Sequence, residues 1–373
     1  METLVNSAWA GRRVFLTGHT GFKGSWLALW LQAMGARVTG FSLPAPTQPS
    51  LFDKARVADI VHHIEGDIRD AAALSAAVAQ ARPEVIFHLA AQPLVRLSYD
   101  DPAGTYATNV MGTVNLLEAA RATPGVRAIV SITSDKCYEN REWHWPYRED
   151  DPMGGHDPYS SSKGCCELVI SAWRRSFFSN EGPLLASGRA GNVIGGGDWA
   201  ADRLIPDLVR AFEADAAPLI RSPHSVRPWQ HVLEALRGYI MLAEGLLEGE
   251  RAFGEGWNFG PSEEDAQPVR WIVDRMQARW GGTVPAECQN GLHPHEAGLL
   301  RLDCSKARNL LGWKPVLPLE DALDWIVEWH KAVGGGADAR EVTLEQIGRY
   351  ARLSAMGGRV DAAPQRLAVA GGV

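Results

Sequence analysis

The chain has 373 residues, of which 46% are hydrophobic, and a formal net charge of −7. This length and apolar content are sufficient for two lobes around a sizeable core. The negative charge excludes a general basic surface for nucleic acid or an anionic membrane, so a phosphate-bearing ligand must be held locally.

The cysteines indicate a reducing compartment. There are five, and their spacing does not match that of metal ligands. The first residues lack the apolar core of a secretory signal, and no run approaches the roughly 20 apolar residues that span a bilayer. We therefore expect reduced thiols, no bound metal, no nucleic-acid or membrane partner, and a cytoplasmic location.

Short apolar runs alternate with helical patterns in the first half of the chain. The predicted strands are 13–17, 37–41, 61–66, 85–91, 128–133 and 185–192, and the first predicted helix is 26–34. Strands separated by helices in this way predict an α/β fold with a doubly wound parallel sheet of the Rossmann type and right-handed crossovers.

The rhythm changes near Asp198, where Pro, Trp and charged residues become denser. We predict a Rossmann domain over 11–197, to which later segments contribute, and a smaller mixed substrate-binding lobe mainly over 198–331. Residues 332–373 are predicted to form an accessory helix near 342–354 and a flexible tail. The substrate is expected between the lobes, beyond the carboxyl ends of the parallel strands.

A glycine-rich turn joins the first predicted strand to the first helix. Its glycines permit a tight turn and a close approach of backbone to a pyrophosphate, which the helix N-terminus then favours electrostatically. The predicted dinucleotide-binding residues of this turn are Gly18, His19, Thr20, Gly21, Phe22, Lys23 and Gly24.

Two later strand ends fit the same cofactor. Asp67 is expected to accept from the adenine amino group with Ile68 against the ring, although Asp67 also suits a simple surface turn. The small residues of Leu89-Ala90-Ala91 would let backbone approach the ribose. The second strand ends without an acidic residue, so NAD and NADP both remain open, with Arg37 or Lys23 available to a phosphate.

A Tyr-x-x-x-Lys spacing predicts the catalytic pair. Tyr159 and Lys163 lie four residues apart at the start of a predicted helix, so both side chains share one face. A nearby ammonium favours the phenolate and is expected to lower the Tyr159 pKa from about 10. Such a tyrosine can take a proton from a sugar hydroxyl while hydride leaves the same carbon for nicotinamide.

Several motifs together resemble a known family. TGHTGFKG, HLAAQPLV, TNVMGT, TSDKCYEN, GGHDPYSSSKGCCE and RAGNVIGGGDW resemble the extended short-chain dehydrogenase/reductases, and most nearly the nucleotide-sugar 4,6-dehydratases among them. The resemblance runs from about Gly11 to His330. It is most specific at Ser134-Asp135-Lys136, because related dehydratases of dTDP-glucose and GDP-mannose carry Glu where this chain has Lys136.

The resemblance implies a bound NAD and three linked steps on CDP-glucose or a closely related nucleotide sugar. Carbon-4 is oxidised, water is lost across carbons 5 and 6, and the hydride returns to carbon-6. Ser134 would bond the carbon-4 oxygen and Asp135 would protonate the departing hydroxyl. Lys136 would either abstract the carbon-5 proton or stabilise the enolate.

The same resemblance suggests substrate-binding residues and an oligomer. The expected substrate contacts are Gln92, Arg96, Ser134, Asn192, Arg203, Arg227 and Arg301. Arg227 is the strongest candidate for a phosphate partner, because a planar guanidinium suits bidentate contact. A helix near 101–120 and the Tyr159 helix would pack in a homodimer or homotetramer.

Two alternatives remain at this stage. The scaffold also suits a 4-epimerase, a reductase, or a dehydratase of another nucleotide sugar. An Asp-Lys pair after Ser134 favours dehydration, because elimination needs an acid and a base beyond the redox pair. A nucleotide-sensing protein without catalysis would be expected to lose Tyr159 or Lys163, and this chain has both.

Overall fold

The computed structural model describes residues 8–179, 181–281, 285–288 and 299–357. The strands in chain order are β1 Arg13–Thr17, β2 Arg37–Ser42, β3 His62–Glu65, β4 Val85–His88, β5 Ala128–Ile132, β6 Leu184–Arg189, β7 Val193–Ile194, β8 Leu219–Ile220, β9 Val226–Pro228, β10 Gln230–His231, β11 Gly256–Asn258, β12 Ala266–Pro268 and β13 Glu287–Cys288. The helices are α1 Phe22–Ala33, α2 Leu51–Lys54, α3 Ala71–Ala81, α4 Val95–Asp100, α5 Pro102–Tyr106, α6 Gly112–Ala122, α7 Pro158–Ser176, α8 Leu204–Glu213, α9 Val232–Glu248, α10 Val269–Trp280, α11 Leu319–Gly334 and α12 Ala339–Gly357.

Seven parallel strands form the central sheet in the order β11-β6-β5-β4-β1-β2-β3. Strands β4 and β5 are buried along their whole length, as expected for a parallel sheet covered by helices on both faces. The strand order reverses between β1 and β4, which opens a crevice at their carboxyl ends. The predicted α/β class and doubly wound sheet are confirmed.

Helices cover both faces of this sheet. On one face, Leu116 of α6 and Ile170 of α7 share a buried cluster with Phe15, Ile86 and Ile129 of the sheet. On the other, α1 and α9 pack within a second cluster that also holds the last helix. Helix α9 and strand β11 therefore belong to the sheet lobe, although both fall in the range predicted to be mainly substrate-binding.

The smaller lobe has its own core and short two-stranded ladders. Helices α8, α10 and α11 share a buried cluster that includes Leu208, Met276 and Leu323. The ladders pair β9 with β12, β8 with β13, and β7 with β10. These strands have only two or three residues each, so they carry no alternation for sequence reading to detect.

The predicted accessory helix is present as α12 and packs into the main core. Ile347 and Tyr350 are fully buried, and the Tyr350 hydroxyl donates to Glu234 Oε2 at 2.7 Å. The predicted tail beyond this helix lies outside the described residues. No helix in the described ranges is long and apolar enough to cross a membrane.

Candidate active site

The glycine turn brings β1, β4 and α1 together. Gly18 has φ +77°, and a Cβ there would lie 2.7 Å from the Ala90 backbone nitrogen. A Cβ on Gly24 would lie 2.0 Å from the Gly18 carbonyl oxygen. Gly21 precedes α1 without a side-chain cap, so the first N–H groups of the helix keep their capacity to bind an anion.

A cavity lies over this turn and reaches the predicted catalytic pair. The predicted residues on its wall are Gly18, Phe22, Lys23, Gly24, Leu89, Ala91, Tyr159 and Lys163. Sequence reading missed a second wall, which is formed by Ser50 and Leu51 at α2 and by Gly197 to Ala200. No local pattern marks this wall, because α2 has only four residues and the loop contacts the cavity through tertiary packing.

The structure places His19 and Thr20 against the second strand rather than on the cavity wall. His19 Nε2 lies 2.7 Å from His63 Nδ1, and a Cβ on Gly40 would lie 2.4 Å from the His19 ring. Burial lowers the pKa of His19 to about 3, so the ring is neutral. Thr20 Oγ1 donates to the Leu43 carbonyl at 2.9 Å and lies 2.8 Å from Ser42 Oγ. Their side chains therefore position the turn.

Asp67, Ile68 and Ala90 are not among the residues that line the cavity. Asp67 accepts from the Arg69 backbone nitrogen at 2.9 Å, and the hydrogen bonds from Arg69 lower its pKa. Ile68 is buried under Gly112, where a Cβ would lie 2.4 Å from its Cδ1. Asp67 thus forms the surface turn that its residue type allows, and adenine contacts by Asp67 and Ile68 stay predictions.

Neither basic residue considered for an NADP phosphate lies at the carboxyl end of β2. Arg37 is exposed at the first position of this strand, about 16 Å from the last at about 3.3 Å per residue. Lys23 is half-buried and lines the cavity together with Tyr159 and Lys163; desolvation lowers its pKa to about 8, and the charge of Lys163 adds to this. Lys23 thus belongs to the catalytic side of the cavity.

Tyr159 and Lys163 occupy the first turns of α7. Asp157 caps this helix by accepting from Ser160 N at 2.9 Å, and Ser98 Oγ accepts from Tyr159 N at 3.1 Å. The sequence predicted a lowered pKa for Tyr159, and without bound cofactor this prediction is wrong. Burial of the phenol raises the Tyr159 pKa to about 12, and the nearby Asp135 carboxylate adds to the rise. Burial also lowers the pKa of Lys163, whose Nζ donates to the Ile132 carbonyl at 3.4 Å.

Ser134, Asp135 and Lys136 follow β5 and line a larger cavity together with Tyr159. Ser134 caps a 3-10 turn, and its hydroxyl donates to Asp135 Oδ1 at 2.8 Å. The Asp135 side chain is only 3% exposed and faces Gly191, where a Cβ would lie 1.8 Å from the carboxylate. The structure therefore brings the predicted acid and amine to the same cavity as the catalytic tyrosine.

Sequence reading missed a buried ion pair behind this catalytic segment. The Arg189 guanidinium donates to Glu167 at 2.8 Å, and both side chains are about 5% exposed. Glu167 also accepts from Thr133 and from Ser187, while Arg189 donates to the Tyr138 hydroxyl at 2.6 Å. The guanidinium and these hydrogen bonds lower the pKa of Glu167 despite its burial. This network ties β6 and α7 to both ends of the segment Thr133 to Tyr138.

Four predicted substrate residues join Ser134 on the wall of the larger cavity. Arg96 pairs with Asp202 at 3.2 Å, and Arg203 pairs with Asp198 at 3.0 Å. The other two are Asn192, which has φ +48°, and Arg227 on β9. The cavity thus carries several guanidiniums beside the catalytic segment, as a diphosphate would require.

The structure does not bring Gln92 and Arg301 to this wall. The Gln92 amide donates to the Leu94 carbonyl and to Thr105, and accepts from Leu94 N at 2.6 Å. It therefore shapes the loop after β4. Arg301 donates to the His144 carbonyl at 2.9 Å and is not on this wall, although the neighbouring Leu300 is. Substrate contacts by Gln92 and Arg301 stay predictions.

This fold and this site define an extended short-chain dehydrogenase/reductase: a glycine turn on a doubly wound sheet, with a tyrosine and a lysine facing it. Residues 15–324 match the GDP-mannose 4,6 dehydratase family, and the chain belongs to that family. The predicted family resemblance is confirmed.

Relatives and solved structures agree with this assignment. The chain is 56% identical to a CDP-glucose 4,6-dehydratase of Salmonella typhimurium, over 92% of this chain and 97% of the relative. It is 28% identical to a UDP-glucose 4-epimerase of Mycolicibacterium smegmatis, over 86% of this chain and 98% of the relative. Among solved structures, a dTDP-glucose 4,6-dehydratase of Streptomyces venezuelae with NAD and TYD bound superimposes with a TM-score of 0.73 at 24% identity, covering 88% of this chain and 99% of that one.

Proposed function

We propose that this chain converts CDP-D-glucose to CDP-4-keto-6-deoxy-D-glucose as an NAD-dependent hydro-lyase of deoxysugar biosynthesis. The main support for this type of reaction is that Asp135, Lys136 and Tyr159 line the same cavity. The identity of 56% to the Salmonella CDP-glucose 4,6-dehydratase supports the choice of substrate.

The residues at the glycine turn fit NAD. Gly18 and Gly24 allow the close backbone packing that forms the turn, and the uncapped N-terminus of α1 lies on the cavity wall. Tyr159 and Lys163 close the other end of that cavity. When bound, NAD would supply the hydride acceptor for the oxidation at carbon-4. Its reduced form would supply the hydride donor for carbon-6. The placement of Arg37 and Lys23 favours NAD over NADP.

Tyr159 is the group that takes the carbon-4 hydroxyl proton. Burial disfavours its phenolate, so the reaction needs positive charge close to the phenol. Arg203 supplies such charge and lowers the Tyr159 pKa, and the Lys163 ammonium lies one helical turn away on α7. Ser134 lines the same cavity as Tyr159 and acts to lower its pKa, so it is placed to orient the carbon-4 oxygen.

Asp135 and Lys136 carry the elimination. A ketone at carbon-4 acidifies the carbon-5 proton, so a base is needed on one side and an acid for the carbon-6 hydroxyl on the other. Buried Asp135 protonates the leaving hydroxyl, and half-buried Lys136 takes the carbon-5 proton or stabilises the enolate. A 4-epimerase needs neither group, which is why dehydration is preferred over the activity of the 28% identical epimerase.

We also propose a homodimer or homotetramer in the cytoplasm. Large apolar side chains are exposed on α4, α7 and the turn between α5 and α6: Leu97 at 43%, Tyr99 at 41%, Met111 at 52% and Leu168 at 62%. A second copy would cover this apolar face. All five cysteines are free thiols, in keeping with a reducing compartment.

The experiment is incubation of the purified protein with NAD and, separately, CDP-glucose, dTDP-glucose, UDP-glucose and GDP-mannose. A 4-keto-6-deoxy product from CDP-glucose, identified by mass and NMR, is the expected result. A carbon-4 epimer, or product from another nucleotide alone, would contradict the proposal.

A further inference from the structure

The part of the larger cavity wall that α8 forms carries a carboxylate that the dehydration does not use. Asp207 lies in the first turn of α8, and its backbone N donates to the Arg203 carbonyl at 3.0 Å. Asp207 is therefore one helical turn beyond Arg203 on the cavity wall, where Arg210 binds its carboxylate.

In a nucleotide sugar, the diphosphate lies between the sugar and the nucleoside. With the sugar at Tyr159 and the diphosphate at the arginines, the ribose and the base extend along the wall toward α8. The wall here combines apolar Ile220, Trp229 and Val269 with a few polar groups, as a flat heteroaromatic ring requires.

Asp207 lies on the cavity wall and forms its ion pair through Oδ1 alone among the hydrogen bonds of the described residues. Arg210 binds Oδ1 of Asp207 and also donates to the Trp199 carbonyl at 3.1 Å, which fixes the pair against the loop. Arg221 lies on the same wall and is itself held by Asp202 at 2.6 Å. Burial raises the pKa of Asp207, and the two guanidiniums oppose this rise.

We propose that Asp207 reads the base by accepting a hydrogen bond from the exocyclic amino group of cytosine. Uracil and thymine carry a carbonyl oxygen at that ring position, and a carboxylate facing an oxygen has no proton to share. The pairing therefore selects a cytidine nucleotide by attraction and rejects the other two pyrimidines by repulsion. This inference deepens the proposed function and rests on it.

The test compares Asp207→Asn with the parent protein on CDP-glucose and UDP-glucose. An amide can present either its oxygen or its NH₂ group, so it accepts both bases. The ratio of kcat/KM for CDP-glucose to that for UDP-glucose is expected to fall by about tenfold or more. Asp207→Ala, which lacks any acceptor, is expected to weaken CDP binding in calorimetry without improving UDP binding.

Asp274→Asn is the matched control. Asp274 forms a similar ion pair with Arg270 at 2.9 Å on α10, outside the cavity, so its substitution is expected to leave the ratio unchanged. Thermal melts of all three variants check folding. An unchanged ratio in a folded Asp207→Asn that still converts CDP-glucose would overturn the base-reading role alone.

Failure of the proposed function has a different signature. A parent protein that converts no CDP-glucose would overturn the dehydration of that substrate. The calorimetric preference for CDP over UDP, and its loss in Asp207→Asn, would then still decide whether Asp207 reads cytosine.

Discussion

The two sides of the substrate cavity hold their polar side chains in different ways. On the sheet side, Asp135 and Tyr159 are 3% and 8% exposed and lie at the ends of a strand and a helix. On the side of the smaller lobe, Arg221 and Asp202 form a pair whose side chains are 24% and 41% exposed, and Arg203 is 35% exposed beside the buried Asp198. The sheet side is rigid and desolvated, whereas the other side carries partly exposed ion pairs.

This difference matches two tasks. Proton transfer depends on positions held to within a fraction of an ångström, which buried elements provide. Binding of a diphosphate instead needs guanidinium groups that can exchange a carboxylate partner for a phosphate. Partly exposed ion pairs contribute little free energy, so this exchange costs little. Substitutions on the sheet side should therefore affect rate and folding, and those on the lobe side should affect affinity.

The largest effect is expected from Tyr159→Phe. Loss of the hydroxyl removes the group that takes the carbon-4 proton, so kcat should fall by about 10²- to 10⁴-fold. The phenyl ring retains the packing at the cavity wall, so the dissociation constant for NAD should change little. Initial rates with CDP-glucose and NAD titration by protein fluorescence check both points; an unchanged kcat would remove Tyr159 from its role.

A large loss of folding stability is expected from Arg189→Met. The substitution leaves the Glu167 carboxylate buried without its guanidinium partner, at a cost of about 3–5 kcal/mol in the free energy of unfolding. Denaturant titration measures this cost. Arg270→Met removes an exposed pair whose two side chains are 51% and 56% exposed, and serves as the control with an expected change of about 0–1 kcal/mol. Equal losses in the two variants would contradict the rigidity assigned to the sheet side.

The smallest effect is expected from Arg227→Lys on the lobe side. Lysine keeps the charge but loses the planar fork, so KM for CDP-glucose should rise by about tenfold while kcat stays nearly constant. Steady-state kinetics separate the two constants. Arg237→Lys on α9, whose guanidinium donates to the Lys314 carbonyl away from the cavity, should change neither. A fall in kcat without a change in KM would place Arg227 among the catalytic groups instead.

Prediction from the sequence was most accurate for features that depend on local sequence pattern. The first six strands, the glycine turn and the Tyr159–Lys163 spacing were all readable, because strand burial, tight turns and helical periodicity depend on neighbours in the chain. The placement of Ser134, Asp135 and Lys136 followed as well, since parallel strands present their carboxyl ends at one edge of a sheet.

Sequence reading was least successful where a polar residue had a choice of partners. Gln92 and Asp67 have types that suit ligand binding, yet both bond within their own loops. Helix α12 was expected as an accessory, yet Tyr350 reaches Glu234 across 116 positions of the chain.

By itself, the sequence determined the parallel sheet, the cofactor turn and the residue types of the catalytic pair, because these depend on spacing along the chain. Only the tertiary structure decided which polar groups face the cavity, how strongly burial shifts the Tyr159 pKa, and where Asp207 lies relative to the catalytic groups. Solvent exclusion and through-space charge depend on segments far apart in sequence, and no local pattern encodes them.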